Sequence, residues 1–369
     1  MVLVILPFIN FKMQFSIRIH FLARNSTARK LLVSTLCVAL LALFTQLSIG
    51  SAQSTTKFDT LKPLTDISTT AEKVETGIFA MNVYNLDASS STYYLDFYVW
   101  FKWKGEIDPT EKLEFSNGVE DWGVSKEVVY EKPEKLPDGS LYQILRVEGR
   151  FVQPFVLARY PLDQQNLRLS LENSVYPSDQ LVYVADKKES GYSDSLSIPG
   201  WKILTFELAN LVHEYTTNFG DLRLGNTSTK YSVLQYSLAI SRPVSFFIWK
   251  LLLPLAIVII ASWGSLLLNP QSIDSRIIIP VTTLLTIVFL QQSYSASLPD
   301  VGYLVLLDKI YVIAYILVIA SILEAIVTAD WIKSEKPESY ARIVQLDRTL
   351  LAIQTAVLIV GVAVLILLS

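Results

Sequence analysis

Cysteine is all but missing from this chain of 369 residues: Cys37 stands alone, inside the apolar run 31–49. Arg29 and Lys30 precede that run and Gly50, Ser51 and Ala52 follow it, the pattern of a secretory signal, 1–52, cut after Ala52. A retained membrane anchor is the alternative, and Met13 is an alternative start. A chain cut after Ala52 keeps no cysteine, which excludes a disulfide framework, a thiolate metal site and a cysteine nucleophile. Histidine is nearly as scarce. With His20 upstream of the cut only His213 remains, so clustered histidine metal sites are excluded and a serine triad would turn on one residue. A lone histidine in a strand-rich region reads first as surface or structural. Phosphate loops and dinucleotide fingerprints are missing, and neither a cofactor nor catalysis is expected. Charge is thin too: 31 basic against 34 acidic residues, a formal −3, with no basic tract interleaved with aromatics, speaks against nucleic acid.

Apolar residues are what the chain has in excess. They make up 51% of it, charged residues only 18%, and the mean hydropathy is +0.39, outside the range of ordinary soluble proteins. The excess lies in the leader and after Phe246, while 53–242 has the composition of an exported domain. Within it, 92–103, 142–151, 166–172 and 231–240 alternate or cluster β-branched and aromatic residues, with Asp138-Gly139 and Pro199-Gly200 as turn signals. Short strands without a long helical period predict one β-sandwich.

After Pro243 four spans are predicted, 246–268, 277–294, 304–327 and 350–368. Export of the first domain places the start outside, so four crossings return the C-terminus outside. Loop charges agree, with Arg276 assigned to the first inner loop, Lys333, Lys336, Arg342 and Arg348 to the second, and neither Lys nor Arg in 295–302. Lys250, Asp308, Lys309 and Glu324, near span ends, are read as snorkelling to the interface, with an internal site as the alternative. Trp249, Tyr303 and Trp331 read as interfacial aromatics.

The least lipid-like stretch is 272–300, SIDSRIIIPVTTLLTIVFLQQSYSASLPD. Steps of four and three from Asp274 collect Ile278, Thr282, Leu285, Phe289, Gln292 and Ala296 on one face, with Ser293 beside them. An acid, then apolar bulk, then amides is how a pore-lining helix reads. An ordinary buried helix whose threonines bond back to their own carbonyls reads equally well from this stretch alone. One such helix cannot enclose a water column, so the pore reading requires several subunits around an axis.

Tyr160-Pro161-Leu162-Asp163-Gln164-Gln165-Asn166 closely resembles the aromatic-Pro-x-Asp-x-Gln-Asn signature of the pentameric ligand-gated ion channels, the Cys-loop receptor family. The cysteines that bracket this loop in animal members are Gln153 and Leu167 here, so the chain looks like the bacterial members that lack the bridge. The spacing from Asp138-Gly139 to the loop, Arg242-Pro243, and the four spans fall in family order, and the resemblance covers about 75–369.

The resemblance implies an extracellular (periplasmic) Ig-like β-sandwich, 53–242, followed by a four-helix transmembrane domain, 243–369. It implies a homopentamer among the lipids of a bacterial inner membrane, passing monovalent cations in response to a small-molecule agonist or protons. Asp274 would form the charged ring of a cation-selective mouth, a role compatible with capping its helix. Leu285 falls at the central pore leucine, with Phe289 a turn further out, and Thr282 adds a hydroxyl ring. Two positions depart from the family pattern: Ile278 replaces a usual polar residue, and Pro280 removes a backbone hydrogen bond and is expected to kink the lower helix. Arg242 would meet Asp163 and Asp87 while Pro161 and Leu162 press on Ser297-Leu298-Pro299. An agonist site between sandwiches would take Tyr176, Tyr215 and Tyr231 from one subunit and Phe79 from the next, with Glu172 and Glu127 nearby. Ser174 stands where an aromatic is usual. Aromatic faces with a carboxylate suit an organic cation, and proton or hydroxide gating is equally open. The rivals are a membrane-anchored receptor that binds without conducting, and a transporter, for which internal repeats or broken helices are missing.

Overall fold

The computed structural model describes residues 61–65, 68–120, 123–217, 220, 229–332 and 337–368. The expected leader lies outside them.

Two sheets face each other. The described strands are β1 Lys62–Pro63, β2 Glu72–Asp87, β3 Thr92–Trp103, β4 Leu113–Phe115, β5 Ser125–Val128, β6 Glu134–Lys135, β7 Leu141–Val152, β8 Gln164–Asn173, β9 Leu181–Ala185, β10 Gly191–Tyr192, β11 Lys202–Tyr215 and β12 Thr229–Ser241. The five-stranded sheet runs β1-β11-β12-β8-β4; the seven-stranded one runs β10-β2-β3-β7-β5, with β6 on β7 and β9 on β2. The alternation read in 92–103 works as expected: Leu95, Phe97, Val99 and Phe101 point inward and are buried, while Tyr94, Tyr98, Trp100 and Lys102 are only partly covered. Phe97 meets Phe115 edge-on, centroids 5.6 Å apart, and Leu169, Leu171, Leu234 and Leu238 complete the core from the other sheet. Each such side chain contributes about 1.5 to 3 kcal/mol by leaving water. Gly139 and Gly200 adopt φ of +81° and +79°, the left-handed conformation both predicted turns need. The predicted strands fall on β3, β7, β8 and β12. Two long strands, β2 and β11, were missed, because their partly exposed, mixed patterns lack clean alternation.

Four helices follow: α1 Val244–Leu267, with a π-helical start at Phe247–Leu252; α2 Ile273–Ser295; α3 Leu306–Ile332; and α4 Pro337–Leu368. All four are long and apolar enough to cross a membrane. Half of α3's most apolar stretch is covered by the rest of the chain, far more than in α1 or α4. The predicted spans find the right helices but cut two short: α2 starts before Ile277 and α4 before Leu350. A hydropathy reading stops at charge, whereas the helices continue through Arg276 and Asp347, which are buried. Pro280 sits inside α2 without ending it.

Candidate functional site

The face predicted for the pore is left uncovered by the rest of the chain. Asp274, Ile278, Thr282, Leu285, Phe289, Gln292 and Ser293 are exposed, with Ile278 at 61%, Leu285 at 56% and Phe289 at 64%. Arg276, Pro280, Thr283, Ile287 and Tyr294 on the other side of α2 are buried. The helix begins after Ser272, which makes no capping bond, and Asp274 lies in the first turn, where the helix dipole favours an acid. The Thr282 hydroxyl donates to the Ile278 carbonyl at 2.9 Å, and Thr283 and Thr286 bond back likewise. The back-bonding expected of an ordinary buried helix is thus present in α2. It uses each hydroxyl's proton and leaves Thr282's oxygen lone pairs on the open face.

Two charge readings need correction. Arg276 is not a loop charge: it is 1% exposed, with Nη2 donating to Glu324 Oε2 at 2.8 Å and Asp347 Oδ1 at 2.5 Å. Glu324 is therefore an internal partner on α3 rather than a snorkelling end. Asp308 likewise turns inward, accepting from the Tyr294 hydroxyl and from the Val305 amide, and Lys309 is buried. Only Lys250 of that set is exposed. Position near a span's end could not reveal Arg276 for Glu324 or Tyr294 for Asp308, which come from another helix.

Where strands meet helices, the loop carrying the Tyr-Pro-Leu-Asp motif caps α3. The Leu306 amide donates to the Ala158 carbonyl at 3.0 Å and the Leu307 amide to the Tyr160 carbonyl at 3.2 Å, satisfying donors that a helix start leaves free. The Leu157 amide donates to the Tyr303 hydroxyl at 3.3 Å, so Tyr303 belongs to this joint. Tyr160 stacks on Tyr294 of α2, and Leu162 and Leu298 pack into the same apolar cluster. Pro161 is buried, and Pro299 is half-buried beside a cavity of about 530 Å³. Arg242 bonds Asp163 at 2.8 Å and lies over the rings of Tyr160 and Trp201, 5.0 and 4.2 Å from their centroids. Asp87, the other acid expected at Arg242, instead accepts from the Ser89 amide and the Ser90 hydroxyl, and these two bonds hold its carboxyl below the usual range. A short side chain in a serine-rich turn finds its donors locally.

The predicted ligand residues fall on two faces. Glu172 on β8 is 3% exposed; Oε1 accepts from the Tyr215 hydroxyl at 2.7 Å and Oε2 lies 3.5 Å from His213 Nδ1. Burial pushes its pKa up, against the pull of the Tyr215 bond and of His213. Tyr215 and Tyr231 meet edge to face at 5.6 Å. His213, expected at the surface or in a structural place, is buried in this cluster because β11 and β12 pair it with Tyr231. Tyr176 packs against the sandwich core, its amide bonded to Asn173 Oδ1 at 3.0 Å.

Phe79 and Glu127 belong to the other sheet. Phe79 on β2 pairs with Tyr98, and both line a cavity of about 680 Å³ with Trp100, Lys102 and Tyr142. Gly77 makes room there, since a β-carbon would fall 2.1 Å from the Trp100 ring. Glu127 pairs with Arg146, which grips Asp96 at 3.1 and 3.0 Å and lies over the Tyr98 ring. In one chain, then, Glu127 is not near Glu172. Sequence reasoning also missed Tyr98 and Arg146, whose outward alternation in β3 and β7 was the available signal.

No protein-family profile matches the sequence. Among characterised proteins, the chain is 26% identical over 189 residues to a gamma-aminobutyric acid receptor subunit beta of Lymnaea stagnalis. It is 27% identical over 190 residues to the subunit beta-4 of Gallus gallus and 25% over 188 residues to a subunit beta-like protein of Drosophila melanogaster. Each match takes in 51% of this chain and 36 to 37% of the relative, so the chain spans well under half the length of these proteins. A two-sheet β domain ahead of four membrane-competent helices, together with this homology to receptor subunits, marks a multi-pass membrane protein of Cys-loop receptor architecture.

Proposed function

We propose that the chain is one subunit of a homopentameric, cation-selective ligand-gated ion channel. In this reading the leader 1–52 is removed, 53–242 is the ligand-binding domain outside a bacterial inner membrane, and 243–369 forms the pore among the lipids, with both ends outside. The observation that carries the reading is the open face of α2, where an acid, a hydroxyl, three large apolar side chains and an amide lie in file while the opposite face is packed. In a ring of five, Asp274 concentrates monovalent cations at the mouth, and Leu285 and Phe289 form collars that offer a permeating ion no hydrogen bonds, so the closed column dewets. Agonist binding reaches the gate through the capped start of α3 and the Arg242–Asp163 pair.

The relatives are named for gamma-aminobutyric acid, which carries an ammonium and a carboxylate. Glu172 with Tyr215 and Tyr231 suits the ammonium of such a ligand. The face bearing Phe79, Tyr98 and Arg146, supplied by the next subunit, suits its other end. Protons acting on Glu172 are the second reading, favoured by that residue's burial.

The test is current through full-length protein in planar bilayers or oocytes, challenged with gamma-aminobutyric acid, a panel of small amines, and pH steps. Current is expected, and Asp274→Ala should move the reversal potential in asymmetric salt toward loss of cation preference. Protein that passes no current under any ligand or pH is a non-conducting receptor instead.

A further inference from the structure

Arg276 and Asp274 both lie in the first turn of α2, two residues and thus about 200° apart around the axis. Asp274 is exposed and Arg276 is buried. What keeps Arg276 inside is not its own helix: Glu324 comes from α3 and Asp347 from α4, and both meet the same Nη2. Among the described residues, Arg276 Nε and Nη1 and Glu324 Oε1 have no hydrogen-bond partner. A buried ion cluster satisfied only in part is a poor source of stability, since apolar side chains of equal volume do as well or better. Its effect is on position. A guanidinium on a long flexible stem, released from its acids, moves toward water rather than stay buried and unpaired. In the proposed pore, the mouth lined by Asp274 is water that an arginine on the same helical turn can reach. A symmetric ring of released arginines would set a positive charge beside each carboxylate and cancel the field that draws cations in.

We propose that Glu324 and Asp347 are positioning residues that set the ion preference of the mouth by holding Arg276 inside the helix bundle, away from the ring of Asp274. The proposal rests on the pore reading above. It makes selectivity depend on two acids that never touch a permeating ion.

The experiment measures the sodium-to-chloride permeability ratio of full-length channels from reversal potentials in asymmetric sodium chloride. Wild type and Asp274→Ala come first and report on the pore reading alone. A wild type without current, or one whose ratio ignores Asp274→Ala, removes that reading and this proposal with it. With the reading intact, the E324Q/D347N double variant should lower the ratio by about tenfold, the low end of what focused charge contributes. Adding Arg276→Gln to that double should restore the ratio to within about twofold of wild type, because no positive charge is left to spoil the ring. A merely structural triad would not produce that rescue. An unchanged ratio in the double, or a fall that persists after Arg276→Gln, overturns the proposal. Should the double fail to assemble, D347N alone must lower the ratio and the R276Q/E324Q/D347N triple must not; any other pattern overturns it as well.

Discussion

Glu172 carries a carboxyl group to a place that water barely reaches, and its surroundings answer with a tyrosine hydroxyl and the edge of a histidine. Desolvation raises its folded pKa above the unfolded value, so the folded chain binds this proton more tightly. The stability so gained is fully present below the ordinary glutamate pKa and is lost as pH rises through the raised one. Wild type should therefore lose Tm relative to Glu172→Gln across that window and run parallel to it on either side. Melting curves at stepped pH check this, and equal slopes for both proteins throughout would refute it. Asp163 is buried as well. It is 1% exposed and bonded to Arg242 and Gln165, so Arg242→Ala strands its charge at a cost of about 3 kcal/mol. That variant should bind agonist, read by fluorescence or calorimetry, yet open less often. Unaltered currents would take Arg242 out of the joint. At this scale the sequence was most legible where one residue's role depends on one neighbour: the motif pointed to Arg242 and Asp163 together. Asp87 was misplaced because its partners are two and three residues away in its own turn.

Helix α2 shows what periodicity can and cannot carry. Steps of three and four located an open face correctly, because the face depends only on helical geometry. The same steps could not tell Arg276 from a loop charge, because its burial depends on where α3 and α4 pass. For the gate, Leu285→Ser should raise agonist sensitivity by at least about tenfold, since each of the subunits loses roughly 1 kcal/mol or more of dry apolar contact in the closed state. Dose-response curves decide it, and an unchanged or lower sensitivity would place the gate elsewhere. The joint is element-scale too: the start of α3 takes its missing acceptors from the Ala158 and Tyr160 carbonyls, so a shift of the loop tugs directly on a helix packed against α2.

For the molecule as a whole, one chain leaves two things unfinished: an exposed stripe along α2, and the proposed ligand residues divided between two sheets. In the proposed pentamer, copies arranged about an axis would complete both, bringing the stripes together and setting the Glu172 face of one sandwich against the Phe79 face of the next. Averaged particle images of purified protein should show fivefold symmetry with Asp274 and Leu285 turned to the axis. Particles without an axis, or with those residues facing outward, would end the channel reading. The sequence by itself determined the order of the parts, a strand-rich domain and then four apolar helices, along with the inward and outward faces of β3 and α2. These follow from local periods of two and 3.6 residues and from hydrophobicity, which every residue carries with it. Only the tertiary structure decided that Arg276 is held by Glu324 and Asp347, that His213 stands at Glu172, and that Glu127 lies on the sheet of Phe79. Those facts are meetings between side chains far apart in the chain, and which ones meet depends on how strands pair and helices cross.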